Sequence, residues 1–178
     1  MTPLVVLNDL ENYKYIADSV RNSTIWGQFV SEAQMLDVKP WLSDGLLNEL
    51  VTQKATDPET LTAANLTLLN GGSYTYLTKT YLFQGLKAVI MYYAFARFTN
   101  RMSFNYTAAG IVKKDSDFST PATDKDIQRL ETEARLTADA IKDEVILFLN
   151  RNKSSYPLWA SSCLVYSTRN RPFTVYGE

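Results

Sequence analysis

The side chains best equipped to engage a ligand fall late in the sequence, in two basic and aromatic groups. Lys113 and Lys114 share a polar stretch with Tyr106, and Arg169 and Arg171 run up to Phe173 and Tyr176 near the C-terminus. Cations meet phosphates and neighbouring rings stack on bases, so each group could serve a nucleic-acid or protein partner. Two carboxylate pairs, Asp115 with Asp117 and Glu131 with Glu133, offer acid and base groups, although such pairs equally describe a solvated loop or helix face. There is no histidine, and the single cysteine, Cys163, precedes the apolar run Leu164, Val165 and Tyr166, where a thiol packs as a small hydrophobe. A nucleophile here lacks its usual base, zinc would have only carboxylates and one thiol, and no glycine pattern cradles a phosphate ahead of a helix. The expectation is a protein that binds rather than catalyses, with no metal and no cofactor.

The elements that position these groups must come from one ordinary domain of 178 residues, 46% hydrophobic and 21% charged. Its net charge of −1 hides a pattern. Residues 1–60 carry four basic and nine acidic groups, and residues 115–150 carry the same numbers. Between Glu59 and Asp115 no acid occurs, only Lys79, Lys87, Arg97, Arg101, Lys113 and Lys114. Such alternation fits contacts between neighbouring subunits or pairing inside one chain, and it does not make a continuous nucleic-acid footprint. The N-terminus lacks the basic and apolar regions of a signal peptide, and the apolar span from Leu82 to Phe98 is broken by Gln84, Lys87 and Arg97. No membrane contact is expected, and the protein reads as soluble and intracellular.

Asn8 or Asp9 caps a first short helix through Leu10, Tyr13, Ile16 and Ala17. Ser23 or Thr24 caps a second, whose Ile25, Phe29, Ala33 and Leu36 share one face, and Lys39–Pro40 is expected to break it. Pro40 then opens a third helix through Trp41, Leu46, Leu47, Leu50 and Val51. Pro58 opens a fourth through Leu61, Ala64, Leu66 and Leu69, closed by Asn70, Gly71 and Gly72. Ser73 to Thr80 reads as one short strand or an irregular lead-in.

From Tyr81 to Met102 the chain is apolar on nearly every side, which marks a central helix. Residues 105–122 read as a long loop, uncommon inside a compact domain and usually functional. Thr123 and Asp126 then form a capping box, and the helix they open repeats Ile127, Leu130, Ala134, Ala138, Ile141, Val145 and Phe148 along the face that should meet the central helix. Ser154–Ser155–Tyr156–Pro157 is expected to stop this helix. The fold expected is mainly α: a helical bundle around a central apolar helix, with a long loop and an extended, potentially β-forming C-terminal arm. The domain spans residues 1–160 with its loop at 105–122, and the arm spans 161–178.

Several stretches resemble a known family. Gly85 Leu86 Lys87 Ala88, the run from Tyr92 to Phe98, the loop from Thr107 to Lys114 and Tyr156 Pro157 Leu158 Trp159 together resemble the head-to-tail connector (adaptor or ring) proteins of tailed bacteriophages, especially those of crAss-like and related phages of Bacteroidales. The resemblance covers roughly residues 80 to 160, and the N-terminal helices agree in layout only. It implies a non-enzymatic virion protein of the head–tail junction, assembled in the host cytoplasm. Such a protein forms a homo-oligomeric ring, commonly of twelve copies, between the portal protein and the next tail or ring protein, around the passing genomic DNA. The loop from Asn105 to Pro121 and the tail from Ser161 to Glu178 would be its docking elements, with Lys113, Lys114, Arg169 and Arg171 as contacts. A different reading of the same residues is a small helical binding protein acting on nucleic acid or on a replication or transcription partner in the infected cell.

Overall fold

The computed structural model describes residues 2–10, 13, 23–56, 60–102, 104–107, 110–113 and 122–159. Within them the chain is mainly helical: α1 (Leu7–Leu10), α2 (Ser23–Glu32), a π-helical segment (Ala33–Val38), α3 (Lys39–Leu42), α4 (Asp44–Ala55), α5 (Ala63–Asn70), α6 (Leu86–Met102) and α7 (Asp124–Arg151). Two separate antiparallel hairpins interrupt the helices: β1 (Gly72–Tyr76) with β2 (Lys79–Phe83), and β3 (Phe104–Thr107) with β4 (Gly110–Lys113).

The expected centre is in place. In α6, Leu86, Ala88, Val89, Ile90, Met91, Tyr93, Ala94 and Ala96 are buried, and α7 lies along it more extensively than any other pair of elements. The face of α7 that meets it is the expected stripe, Ile127, Ala134, Ala138, Ile141, Val145 and Phe148. Leu130 departs from it and is 41% exposed. The capping box is formed: Thr123 accepts from the Asp126 amide, and Asp126 accepts from the Thr123 amide and hydroxyl. Those bonds hold the Asp126 carboxyl below its ordinary value.

Tyr93 bonds Asp139 and Asn100 bonds Glu131, so residue numbers rise along α6 as they fall along α7 and the helices are antiparallel. An aromatic cluster closes each end of this pair. Toward the C-terminus of α6, Phe98 stacks on Trp26 at 4.8 Å and meets Phe29 edge-on. Toward its N-terminus, Phe83 stacks on Phe148 at 4.1 Å, with Tyr74 and Tyr156 edge-on around Phe148. Tyr156 also donates to the Ala64 carbonyl, and burial raises its phenol to about 12.

The structure corrects several boundaries. Pro40 does not break the second helix: the chain passes through the π-helical segment, where the Lys39 amide donates five residues back to Gln34, and Pro40 sits in the first turn of α3. The wider π turn also shifts the register, so Leu36 is 60% exposed while Val38 is buried. The break falls instead at Ser43, whose φ of 79° and hydroxyl cap on the Leu46 amide start α4. The fourth helix opens at Ala63, capped by Thr62, rather than at Pro58. The central helix opens at Leu86, and Tyr81, Leu82 and Phe83 belong to β2. The stretch expected as a loop contains the β3–β4 hairpin over 104–113.

Two buried polar side chains tie the outer helices to this frame. Gln34 accepts from the Leu4 amide at 2.7 Å, anchoring the N-terminal segment, and Asn65 donates to Glu49 and Gln53, joining α5 to α4. At the foot of the β1–β2 hairpin two glycines pass back to back. A Cβ on Gly71 would stand 2.4 Å from the Gln84 carbonyl carbon, and one on Gly85 would stand 2.3 Å from the Gly71 nitrogen, with φ of +76° and +82°. Only residues without a Cβ allow this backbone approach.

Candidate functional site

Three cations of the acid-free segment, Lys87, Arg97 and Arg101, pair with acids from elsewhere in the chain. Arg97 forks onto Asp37, with Nε donating at 2.7 Å and Nη2 at 3.0 Å, and its Nη1 reaches Glu32 at 3.4 Å. Arg101 donates to the other Glu32 oxygen at 2.6 Å, and Lys87 pairs with Asp9 at 3.3 Å. From α7, Arg135 lies 3.7 Å from Asp37 and donates to Glu131. Of the two expectations for the charge blocks, pairing inside one chain therefore accounts for Lys87, Arg97 and Arg101. The network joins the π-helical segment, α6 and α7 with side chains of Asp37 and Arg97 only 12% and 15% exposed.

Glu131 is held by Arg135 and Asn100, and on a helix it faces away from Glu133 two residues on, so the two do not form an acid–base pair. Asp115 and Asp117 lie outside the described residues. Further along α7, Tyr93 and Lys142 both donate to Asp139. Burial would raise that carboxyl, and these two hydrogen bonds outweigh it and hold it below its ordinary value. Burial, then the bond to Asp139, pushes the Tyr93 phenol well above its ordinary range. A carboxylate whose folded value is depressed contributes stability that is complete above its unfolded value near 3.9 and is lost as pH falls through the folded one. The urea midpoint of the protein is expected to drop below about pH 4, and Asp139→Asn should make that drop shallower. An unchanged slope in the variant would show that this site is not a source of the acid sensitivity.

The residues expected to engage partners distribute as follows. Tyr106 is in β3, in register with Ile111, and Lys113 is in β4, in register with Phe104. Lys114, Arg169, Arg171, Phe173 and Tyr176 lie outside the described residues, as does Cys163. The hairpin carrying Tyr106 and Lys113 follows the C-terminus of α6 directly. The β1–β2 hairpin precedes the N-terminus of α6 and rests on the C-terminal part of α7. Because α6 spans 17 residues, about 25 Å of helix separates the two hairpins, which occupy opposite ends of one helix pair.

The β1–β2 end carries features that sequence reading missed. Tyr74, Tyr76 and Tyr81 share one face of the hairpin, and the Arg151 guanidinium carbon lies 4.0 Å from the Tyr81 ring centre and 5.0 Å from that of Tyr76. Arg151 also donates to the Tyr74 hydroxyl at 3.0 Å. The opposite face and the tip are open to solvent, with Leu82 80% and Leu77 77% exposed. The available signal was the alternation of Tyr74 and Tyr76 with Thr75, mirrored by Tyr81 and Phe83 around Leu82.

The fold is an antiparallel helix pair with one two-stranded hairpin before α6 and another after it. The chain belongs to a family described as a family of unknown function (DUF6712), which matches residues 38–169. Comparison with curated proteins and with solved structures gives no match. Among the described residues no helix is long and apolar enough to cross a membrane.

Proposed function

We propose that this protein is a structural adaptor subunit of the head-to-tail connector type, joining the portal to the tail of a bacteriophage as a ring around the DNA channel. The observation that carries the reading is the placement of two hairpins at opposite ends of one antiparallel helix pair. An adaptor must present different surfaces to two different neighbours while holding them a fixed distance apart. The helix pair supplies the spacing, its aromatic clusters and the Arg97 network supply stiffness, and the ends supply contacts. The β3–β4 hairpin with Tyr106 and Lys113 serves one neighbour. The β1–β2 hairpin and the arm of residues 161–178, which follows Trp159 in sequence, serve the other. Copies arranged head to tail around a closed ring need no two-fold symmetric patch.

The nucleic-acid reading rests on Lys113, Lys114, Arg169 and Arg171, and Lys87, Arg97 and Arg101, committed to acids within the chain, add nothing to it. The test is to mix the purified chain with its phage's portal protein and weigh the product by native mass spectrometry. Portal rings carrying a defined number of copies are expected for the full chain and not for a chain ending at residue 160, whose circular dichroism should stay helical. A full chain that ignores portal under all conditions would refute the proposal. A monomer in isolation is compatible with it, because the portal can template the ring.

A further inference from the structure

Among the described residues, no further strand pairs with either edge of the β1–β2 hairpin. Tyr76 and Lys79 flank a two-residue turn, Leu77–Thr78, whose φ values of 46° and 68° are those of a type I′ turn. In such a hairpin the pair next to the turn exchanges both hydrogen bonds, and alternate pairs do so from there. The pairs Tyr76↔Lys79, Tyr74↔Tyr81 and Gly72↔Phe83 are therefore bonded within the ladder. Backbone groups of Ser73 and Thr75 point outward from β1, and those of Thr80 and Leu82 point outward from β2. Natural edges are usually shielded by charge, proline or a covering element. Here the β2 edge offers Thr80 and an 80% exposed Leu82.

We propose that the β2 edge is a strand-accepting site and that its occupant is the arm of the same chain, residues 161–178. The place where the arm begins supports this. Trp159 is 4% exposed and donates from its indole to Asn150, next to Arg151, whose guanidinium covers the Tyr81 ring of β2. The last described residues before the arm therefore pack on the same C-terminal turns of α7 that carry β2, through Tyr156 and Phe83 on Phe148. Its sequence holds two strand-forming groups, Leu164–Val165–Tyr166 and Phe173–Thr174–Val175–Tyr176. A tethered strand meets this edge at an effective concentration of order millimolar, so the chain's own arm outcompetes any copy in dilute solution. Strand addition uses main-chain hydrogen bonds for affinity and alternate side chains for specificity, and Leu82 is the side chain offered on the exposed face. The inference does not depend on the adaptor reading.

Amide hydrogen exchange followed residue by residue by nuclear magnetic resonance tests it, comparing the full chain with the full-length double variant Val165→Pro, Val175→Pro. The Thr80 and Leu82 amides are expected to exchange roughly tenfold slower in the unmodified chain, the scale of one main-chain hydrogen bond. Amides of α6 should be unchanged, showing that the domain remains folded. Equal rates at Thr80 and Leu82 in both chains would overturn the proposal, as would protection of Ser73 and Thr75 in their place. A second experiment adds unlabelled wild-type chain to the isotope-labelled double variant. Protection gained there at Thr80 and Leu82 would identify a second copy's arm as the occupant and overturn the assignment to the same chain.

Discussion

Replacing Gly85 by alanine is expected to lower the thermal midpoint by roughly 10 °C and stability by about 4 kcal/mol. The new Cβ would lie 2.3 Å from the Gly71 nitrogen and 2.6 Å from the Leu69 carbonyl oxygen, all backbone atoms that cannot rotate away. Its φ of +82° adds strain for any L side chain. Gly71→Ala meets the reciprocal clash with Gln84 and should cost a similar amount. Gly27→Ala is the control. It sits in α2 with nothing within 4 Å of an added Cβ, and alanine there should stabilise by about 0.5–1 kcal/mol through helix propensity. Differential scanning calorimetry separates these outcomes, and a Gly85→Ala midpoint equal to wild type would mean the two segments do not cross as described.

The second large effect is expected at the charge network. Asp37→Ala removes the fork that holds Arg97, leaving a guanidinium that is only 15% exposed with one distant partner, Glu32 at 3.4 Å. Loss of one member of a desolvated pair typically costs about 3 kcal/mol, mostly the penalty of the charge left behind. The double variant Asp37→Leu, Arg97→Met should recover most of that loss, since it removes both charges and fills the space with apolar groups. Urea denaturation of the single and double variants measures the difference. If the double variant is as unstable as Asp37→Ala, the stabilisation comes from shape or from Arg135 rather than from the Arg97 charge.

The parts of the fold legible from sequence are those fixed by local pattern. The stripe from Ile127 to Phe148 and the Thr123–Asp126 box define α7 without reference to anything else, and the all-round apolar character of α6 marks it as central. The π-helical segment was not legible, because an extra residue in a helix has no compositional mark. Its effect, Leu36 outside and Val38 inside, contradicts ordinary helical spacing. The β1–β2 hairpin escaped because Leu77–Thr78 holds positive φ without the Gly or Asn that usually announces such a turn. The commitment of Arg97 to Asp37 escaped for a different reason: the partners are 60 residues apart, and a charge count cannot say which acid a cation will meet. Of the candidate site, Tyr106 and Lys113 come together on one hairpin, at register positions no periodicity in so short a segment could specify.

The glycine crossing has one more consequence, for how such a protein can diversify. Gly71 and Gly85 bring the chain back to where it left, so residues 72–84 form a lobe whose ends are fixed at one point. Changes in the length or chemistry of its tip, around Leu77 and Thr78, leave the entry and exit of the bundle where they were. Substitutions in the lobe can therefore accumulate while the helix pair is inherited unchanged, so this part of the surface can vary without altering how the rest folds.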